Sequence, residues 1–247
     1  MPFTPKTIAI WLGLLLLPLL ACGPIPETEG LLSQWLQSTP TASATTRGGG
    51  ATAKDYITFQ TITYRVALQP GERVPGTQLV YIGPNGRLYE VEISGQRATK
   101  SGGDSFNWDG ILNAGVGGEF DLRLTPQLMG DMLAVGAVEI TVLNPVPTES
   151  PLPTDVNNWH VYPEMVIDTT VPLSQTIPGT TLIYEGLEPQ GAKLGNTAGY
   201  PYLAQADSLR WTGRLSTNAY VQYNLRVVSM GEDSLRMAGV AEVWVRK

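Results

Sequence analysis

Cysteine and histidine occur once each in the 247 residues, as Cys22 and His160, and only 15% of the residues are charged. One cysteine cannot make an intramolecular disulfide, so anything that folds here is held by packing alone. One histidine largely excludes catalytic triads and His-rich metal sites, each of which needs a histidine with particular neighbours. The G-x-S-x-G, S-x-x-K and C-x-x-C patterns and glycine-rich phosphate loops are absent. No cofactor or metal site is therefore expected, and the chain reads as non-catalytic. A carbohydrate-active enzyme stays as a lesser alternative, because a carboxylate pair for glycoside hydrolysis leaves no sequence signature. Cations are too few and too scattered for a nucleic-acid site or a polybasic membrane patch: Lys and Arg number 16 against 22 acids.

Long helical periodicity is missing as well. What is present instead is a duplication. PGTQLVYIG at 75–83 returns as PGTTLIYEG at 178–186, DSFNWDGIL at 104–112 as DSLRWTGRL at 207–215, and VGAVEITV at 135–142 as AGVAEVWV at 238–245, always 103 residues on. Each copy shows short runs in which apolar and polar residues alternate, the period of a half-buried strand. Examples are Ile62, Tyr64, Val66 and Leu68 in the first copy, and Met165, Ile167 and Val171 at the matching places in the second. Turn chemistry such as QPGERVPG and PNG separates the runs. The pattern predicts an all-β protein of two tandem, immunoglobulin-like antiparallel β-sandwich modules, residues 55–144 and 158–247. Between them, 145–157 carries prolines at 145, 147, 151 and 153, a semi-rigid spacer composition that predicts separated modules.

The N-terminal stretch has a lone cation at Lys6, an apolar run from Ile8 to Leu20, and then Leu19-Leu20-Ala21-Cys22. The run is short for a membrane span and suits a secretory signal. Its end resembles the lipobox of bacterial lipoproteins. That resemblance implies a signal peptide over 1–21, cleavage before Cys22, and a diacylglycerol on the Cys22 sulfur that holds the chain to a membrane outside the cytoplasm. The other reading is an ordinary secretory signal or an uncleaved anchor with an incidental cysteine. Residues 22–54, rich in Thr, Ser, Ala and Gly, have tether composition. Within them LLSQWL could lie in the bilayer interface or touch the first module.

The runs DSFNWDGIL through GGEFDLRLTP to AVEITVLNP, and their partners in the second copy, resemble the conserved-repeat, immunoglobulin-like modules of bacterial surface proteins. The Lys–Asn isopeptide cross-links of some such modules are not implied, because VEITV and AEVWV carry no Asn at their centres. The expected function is then a lipid-anchored binding or scaffolding protein of the bacterial cell envelope, its partner an envelope protein or a surface polysaccharide. A passive structural spacer is the alternative.

Residue by residue, Trp108 and Trp211 share a face with other apolar residues and read as core. Asp104 and Asp207, at the head of the Trp strand, read as turn formers, with calcium ligation as the competing role. Glu139 and Glu242 lie on the outward phase of the last strand, as solvated or edge-protecting charges. Partner binding is sought where the copies differ. Tyr200 and Tyr202 flank Pro201 in a loop of the second copy, and Trp244 falls on an outward phase. Exposed aromatics in such places are anchor candidates, unless they pack on a neighbouring module.

Overall fold

The structure is a computed structural model that describes residues 56–126 and 131–247. The segments 1–21 and 22–54, with Cys22 and LLSQWL, lie outside the described residues. All described residues belong to one compact unit. Among them there is no α-helix, only one 3-10 turn, Val156–Asn158, and antiparallel strands, as the alternating runs predict. No described helix is long and apolar enough to cross a membrane.

The first copy contributes β1 (Tyr56–Leu68), β2 (Leu79–Asn85), β3 (Leu88–Ile93), β4 (Gln96–Lys100), β5 (Ser105–Asn113), β6 (Val116–Pro126) and β7 (Met132–Leu143). The proline-rich segment holds β8 (Thr148–Glu149). The second copy follows with β9 (Trp159–Pro172), β10 (Ile183–Glu188), β11 (Gly191–Gly195), β12 (Tyr202–Leu203), β13 (Ser208–Ser216), β14 (Ala219–Met230) and β15 (Ser234–Arg246). Each copy has a private three-stranded sheet, β2-β3-β4 or β10-β11-β12. Its remaining strands enter a shared sheet of nine, in the order β5-β6-β7-β1-β9-β15-β14-β13-β8.

That order corrects the expectation of two spaced sandwiches. β1 and β9, the opening strands of the copies, pair antiparallel at Gln60 and Val166. The strands then repeat outward on either side, so a pseudo-twofold axis runs between β1 and β9. Inward side chains of both copies join one hydrophobic core. The cause lies in two rings at matching positions, Phe59 and Tyr162, which each reach the opposite copy. Phe59 packs 6.1 Å from Tyr223 of the second copy, and Tyr162 packs 6.0 Å from Phe120 of the first. Both are fully buried. Burying aromatics of this size across the join stabilises a fused body over two separated ones.

The duplicated Pro-Gly-Thr turns receive these rings. Thr77 Oγ1 donates to Val74 O (3.0 Å) and accepts from Leu79 N (3.0 Å); Thr180 repeats both bonds with Ile177 O (2.9 Å) and Leu182 N (3.0 Å). The turn is thereby closed on itself, and its proline carbonyl is left to accept a phenol. Pro75 O accepts from Tyr162 Oη of the other copy at 3.0 Å, whereas Pro178 O accepts from Tyr223 Oη of its own copy at 3.1 Å. Between copies the hydroxyl has moved from the invading ring to the resident one, yet each carbonyl keeps a donor. Gly76 and Gly179 are needed there: both have positive φ (77° and 74°), and a Cβ at Gly76 would lie 2.5 Å from Tyr162 Oη.

Two further repeated motifs have local causes. The Trp-x-Gly spacing exists because the Trp108 indole lies over Gly110, where a Cβ would come within 2.5 Å of Cζ2; Trp211 covers Gly213 likewise. Both indoles are core, as expected, at 8% and 4% exposure. Asp104 and Asp207 close turns, accepting from Ser101 N (2.7 Å) and Ala204 N (2.8 Å).

The alternation in β1 is misread at one place. Ile62 is 63% exposed, and Thr61, expected outward, is buried. A β-bulge between Thr61 and Tyr64 shifts the phase by one residue, so Phe59 and Thr61 point inward before it and Tyr64 and Leu68 after it. In β9 the irregularity falls two positions earlier, at Pro163 and Glu164, and Met165 stays inside. The same bend is made in both copies, but at different residues.

Candidate functional site

The loop that distinguishes the second copy builds a small surface cluster. β12 is only Tyr202–Leu203, laid on β11 through Lys193 opposite Tyr202 and Ala192 opposite Leu203. Leu194 N donates to Pro201 O at 2.8 Å and anchors the approach. Gly191, at φ 129°, lets the backbone of Leu203 come close, since a Cβ there would strike its carbonyl. Pairing brings Tyr202 next to β10. Tyr202 Oη donates to Glu188 Oε2 at 2.9 Å, and Lys193 Nζ lies 3.2 Å from Glu188 Oε1 and 3.5 Å from Glu185 Oε2. Tyr200, 74% exposed, stands edge-on to Tyr202 with ring centroids 5.4 Å apart.

The charges are mutually set. The Tyr202 hydroxyl, then the Lys193 ammonium, hold the Glu188 carboxyl below its ordinary range. Glu188 raises Lys193 in return, and its hydrogen bond raises the Tyr202 phenol. Every charged group here has a partner, so the cluster is an exposed platform tied together by these bonds and carrying one free aromatic face, that of Tyr200. Such a platform can stack on a ligand and accept or donate hydrogen bonds around it. It offers no unpaired nucleophile. In the first copy the matching positions are Arg97, Ala98 and Thr99, and the sheet surface there carries the Arg97–Glu90 ion pair at 3.0 Å. The aromatic platform therefore belongs to the second copy alone.

Trp244 does not join it. Although it has the outward phase, it is only 8% exposed, lies between cross-strand neighbours Tyr220 and Val161, and donates its indole N–H to Glu242 Oε1 at 2.6 Å. The expectation of an exposed anchor is corrected: β15 is an interior strand, and large side chains on the adjacent strands close over the ring. Trp159 and Tyr220, absent from the sequence reading, sit beside it in an edge-to-face pair at 5.2 Å. Their signal was available, as aromatics on the outward phases of β9 and β14. The edge-protecting role for Glu139 and Glu242 also fails, because β7 and β15 are both interior strands. Glu139 instead accepts from Gln60 Nε2 across the β1–β7 ladder.

Glu164 and Glu242 share a shallow concavity of about 360 Å³ on the open face of the long sheet, with Arg210, Gln222 and Asn224. Glu164 is exposed and Glu242 half-buried against Trp244. Among the described residues no group of His, Cys, Asp or Glu side chains is placed to hold a metal ion. No protein-family model, no curated protein and no solved structure matches the chain.

Proposed function

We propose that the chain is a lipid-anchored, extracytoplasmic binding or scaffolding protein of a bacterial cell envelope, non-catalytic, in the style of surface proteins with immunoglobulin-like repeats. Cys22 carries the anchor, residues 22–54 tether the folded part, and the Tyr200–Tyr202 platform contacts an envelope protein or surface polysaccharide. The observation that carries the reading is Leu19-Leu20-Ala21-Cys22 after an apolar run, with Cys22 the sole cysteine. Acylation gives a lone thiol in an exported chain a role that needs no partner, and two or three acyl chains make attachment durable. The platform supports binding, since an exposed ring held by a neighbour that is itself hydrogen-bonded loses little entropy on contact.

Membrane fractionation with labelled fatty acid tests the anchor: wild-type protein should be labelled and membrane-bound, and Cys22→Ala should be unlabelled. Label retained by Cys22→Ala would refute lipidation at that residue. Affinity measurements against purified envelope polysaccharide and solubilised envelope proteins test the platform. Tyr200→Ala should abolish a specific interaction without changing the melting temperature; no interaction in any fraction returns the protein to a passive spacer.

A further inference from the structure

The two ends of the long sheet are treated differently. At one end β13 is closed by β8: Gly213 pairs with Glu149 and Arg214 with Thr148, while Ser150 N donates to Thr212 O at 3.2 Å. At the other end stands β5, the duplicate of β13, with no strand beyond it among the described residues. The effect is visible at matching positions. Gly213 and Leu215 are buried, but Gly110 and Leu112 are only half-buried.

Composition separates the edges further. An edge left open in a soluble β protein usually carries Lys, Arg or Pro, which discourage pairing. The outward row of β13 includes Arg210 and Arg214, although β8 already covers that strand. The outward row of β5 has Asn107 and Ile111 at the same places, with Ile111 78% exposed. The protected edge carries two cations, whereas the open edge carries none and has a single carboxylate, Asp109, where β13 has Thr212.

We propose that β5 pairs antiparallel with β5 of a second copy of this chain, joining two nine-stranded sheets across a twofold axis. The chain already makes this kind of join internally, since β1 and β9, strands from its two copies, meet antiparallel about a pseudo-twofold. A like-with-like edge contact is isologous and closes at two subunits. Register follows from backbone geometry and charge. Thr212 offers its carbonyl outward to β8, so Asp109, its duplicate, and Ile111 two residues on present their backbone groups at the open edge. An axis through Asp109 would face two carboxylates. An axis through Gly110 sets each Asp109 opposite Ile111 of the second chain and keeps these pairs short of the irregularity between Ile111 and Asn113, so this is the register assigned.

Sedimentation of the full-length chain in density-matched detergent tests the proposal. Wild type should reach twice the monomer mass. Ile111→Glu faces a carboxylate on Asp109 of the second chain at two places and should weaken association about tenfold. Asp109→Arg added to Ile111→Glu makes both facing pairs opposite in charge and should restore the dimer. Both positions are exposed, and an unchanged circular dichroism spectrum and melting curve verify that each variant is folded. A wild-type chain that stays monomeric up to about 100 μM overturns the proposal. So does a folded Ile111→Glu variant that associates like wild type, or a folded double variant that stays dissociated.

Discussion

Replacing Phe59 by alanine tests the join between the copies most directly. Phe59 belongs to the first copy by sequence, yet its ring packs on Tyr223 of the second and is fully buried. Truncating a buried phenylalanine costs the transfer free energy of the ring plus the cavity it leaves, about 3–5 kcal/mol. If the copies form one cooperative body, this loss comes off global stability and is felt on both sides. Hydrogen exchange followed by mass spectrometry reads it strand by strand. At about 1.4 kcal/mol per tenfold, the globally exchanging amides of β14 and of β6 should both speed up by roughly 10²–10³. A denaturant titration should still show one transition, at a lower midpoint and an unchanged slope. Two refuting results are clear: two separate transitions in wild type, or acceleration in β6 with β14 unaffected. Either would mean that the shared core does not couple the copies.

Gly110→Ala drives a Cβ to 2.5 Å from the Trp108 ring and should destabilise by about 1–3 kcal/mol through overpacking, measured as a lower melting temperature. Burial raises the Tyr64 phenol to about 12, and it raises Tyr162 and Tyr223 still further. Their neutral forms stabilise the fold fully below the unfolded value near 10, and that contribution drains as pH climbs through the folded values. Alkaline unfolding, followed by phenolate absorbance, should therefore accompany their ionisation as one event above about pH 10; reversible titration of all tyrosines in a still-folded chain would contradict it. On the acid side, Arg236 bonds Asp168 through both carboxylate oxygens (3.0 and 2.7 Å) and lowers its pKa. That contribution is present above the ordinary aspartate range and fades as pH falls through the lowered value. NMR titration of Arg236→Ala should show the Asp168 carboxyl moving back up.

Much of the local structure is written in the sequence because its causes lie within a few residues of each other. The threonine of Pro-Gly-Thr bonds the turn that contains it. Glycine two places after the tryptophan exists because an indole laid along its own strand covers that position. Asp104 and Asp207 accept from the backbone three residues earlier. Strict alternation likewise requires strands with one face inside, and duplication at a fixed offset requires that whatever forms once forms twice. The Tyr200–Tyr202 loop stood out for the converse reason, being where the copies stop matching, but its ties to Glu188 and Lys193 were not legible, since they depend on how β12 lies against β11.

What the sequence determined by itself, then, is the all-β class, the duplication, the turns and the core tryptophans, all products of local sterics and periodicity. The tertiary structure alone decided how strands and copies meet. Alternation gives the side a residue faces but not what stands over that side, so Trp244 has an outward phase and is nevertheless covered by Tyr220 and Val161. Each copy has a bulge, but the two fall two positions apart, so Ile62 and Met165, at matching positions, end on opposite faces. The proline-rich segment has the composition of a spacer, yet β8 inside it binds the edge of β13, and Phe59 and Tyr162 pull the two copies together. Backbone edges and cross-copy cavities arise only when distant strands are side by side, and no spacing within a single strand encodes them.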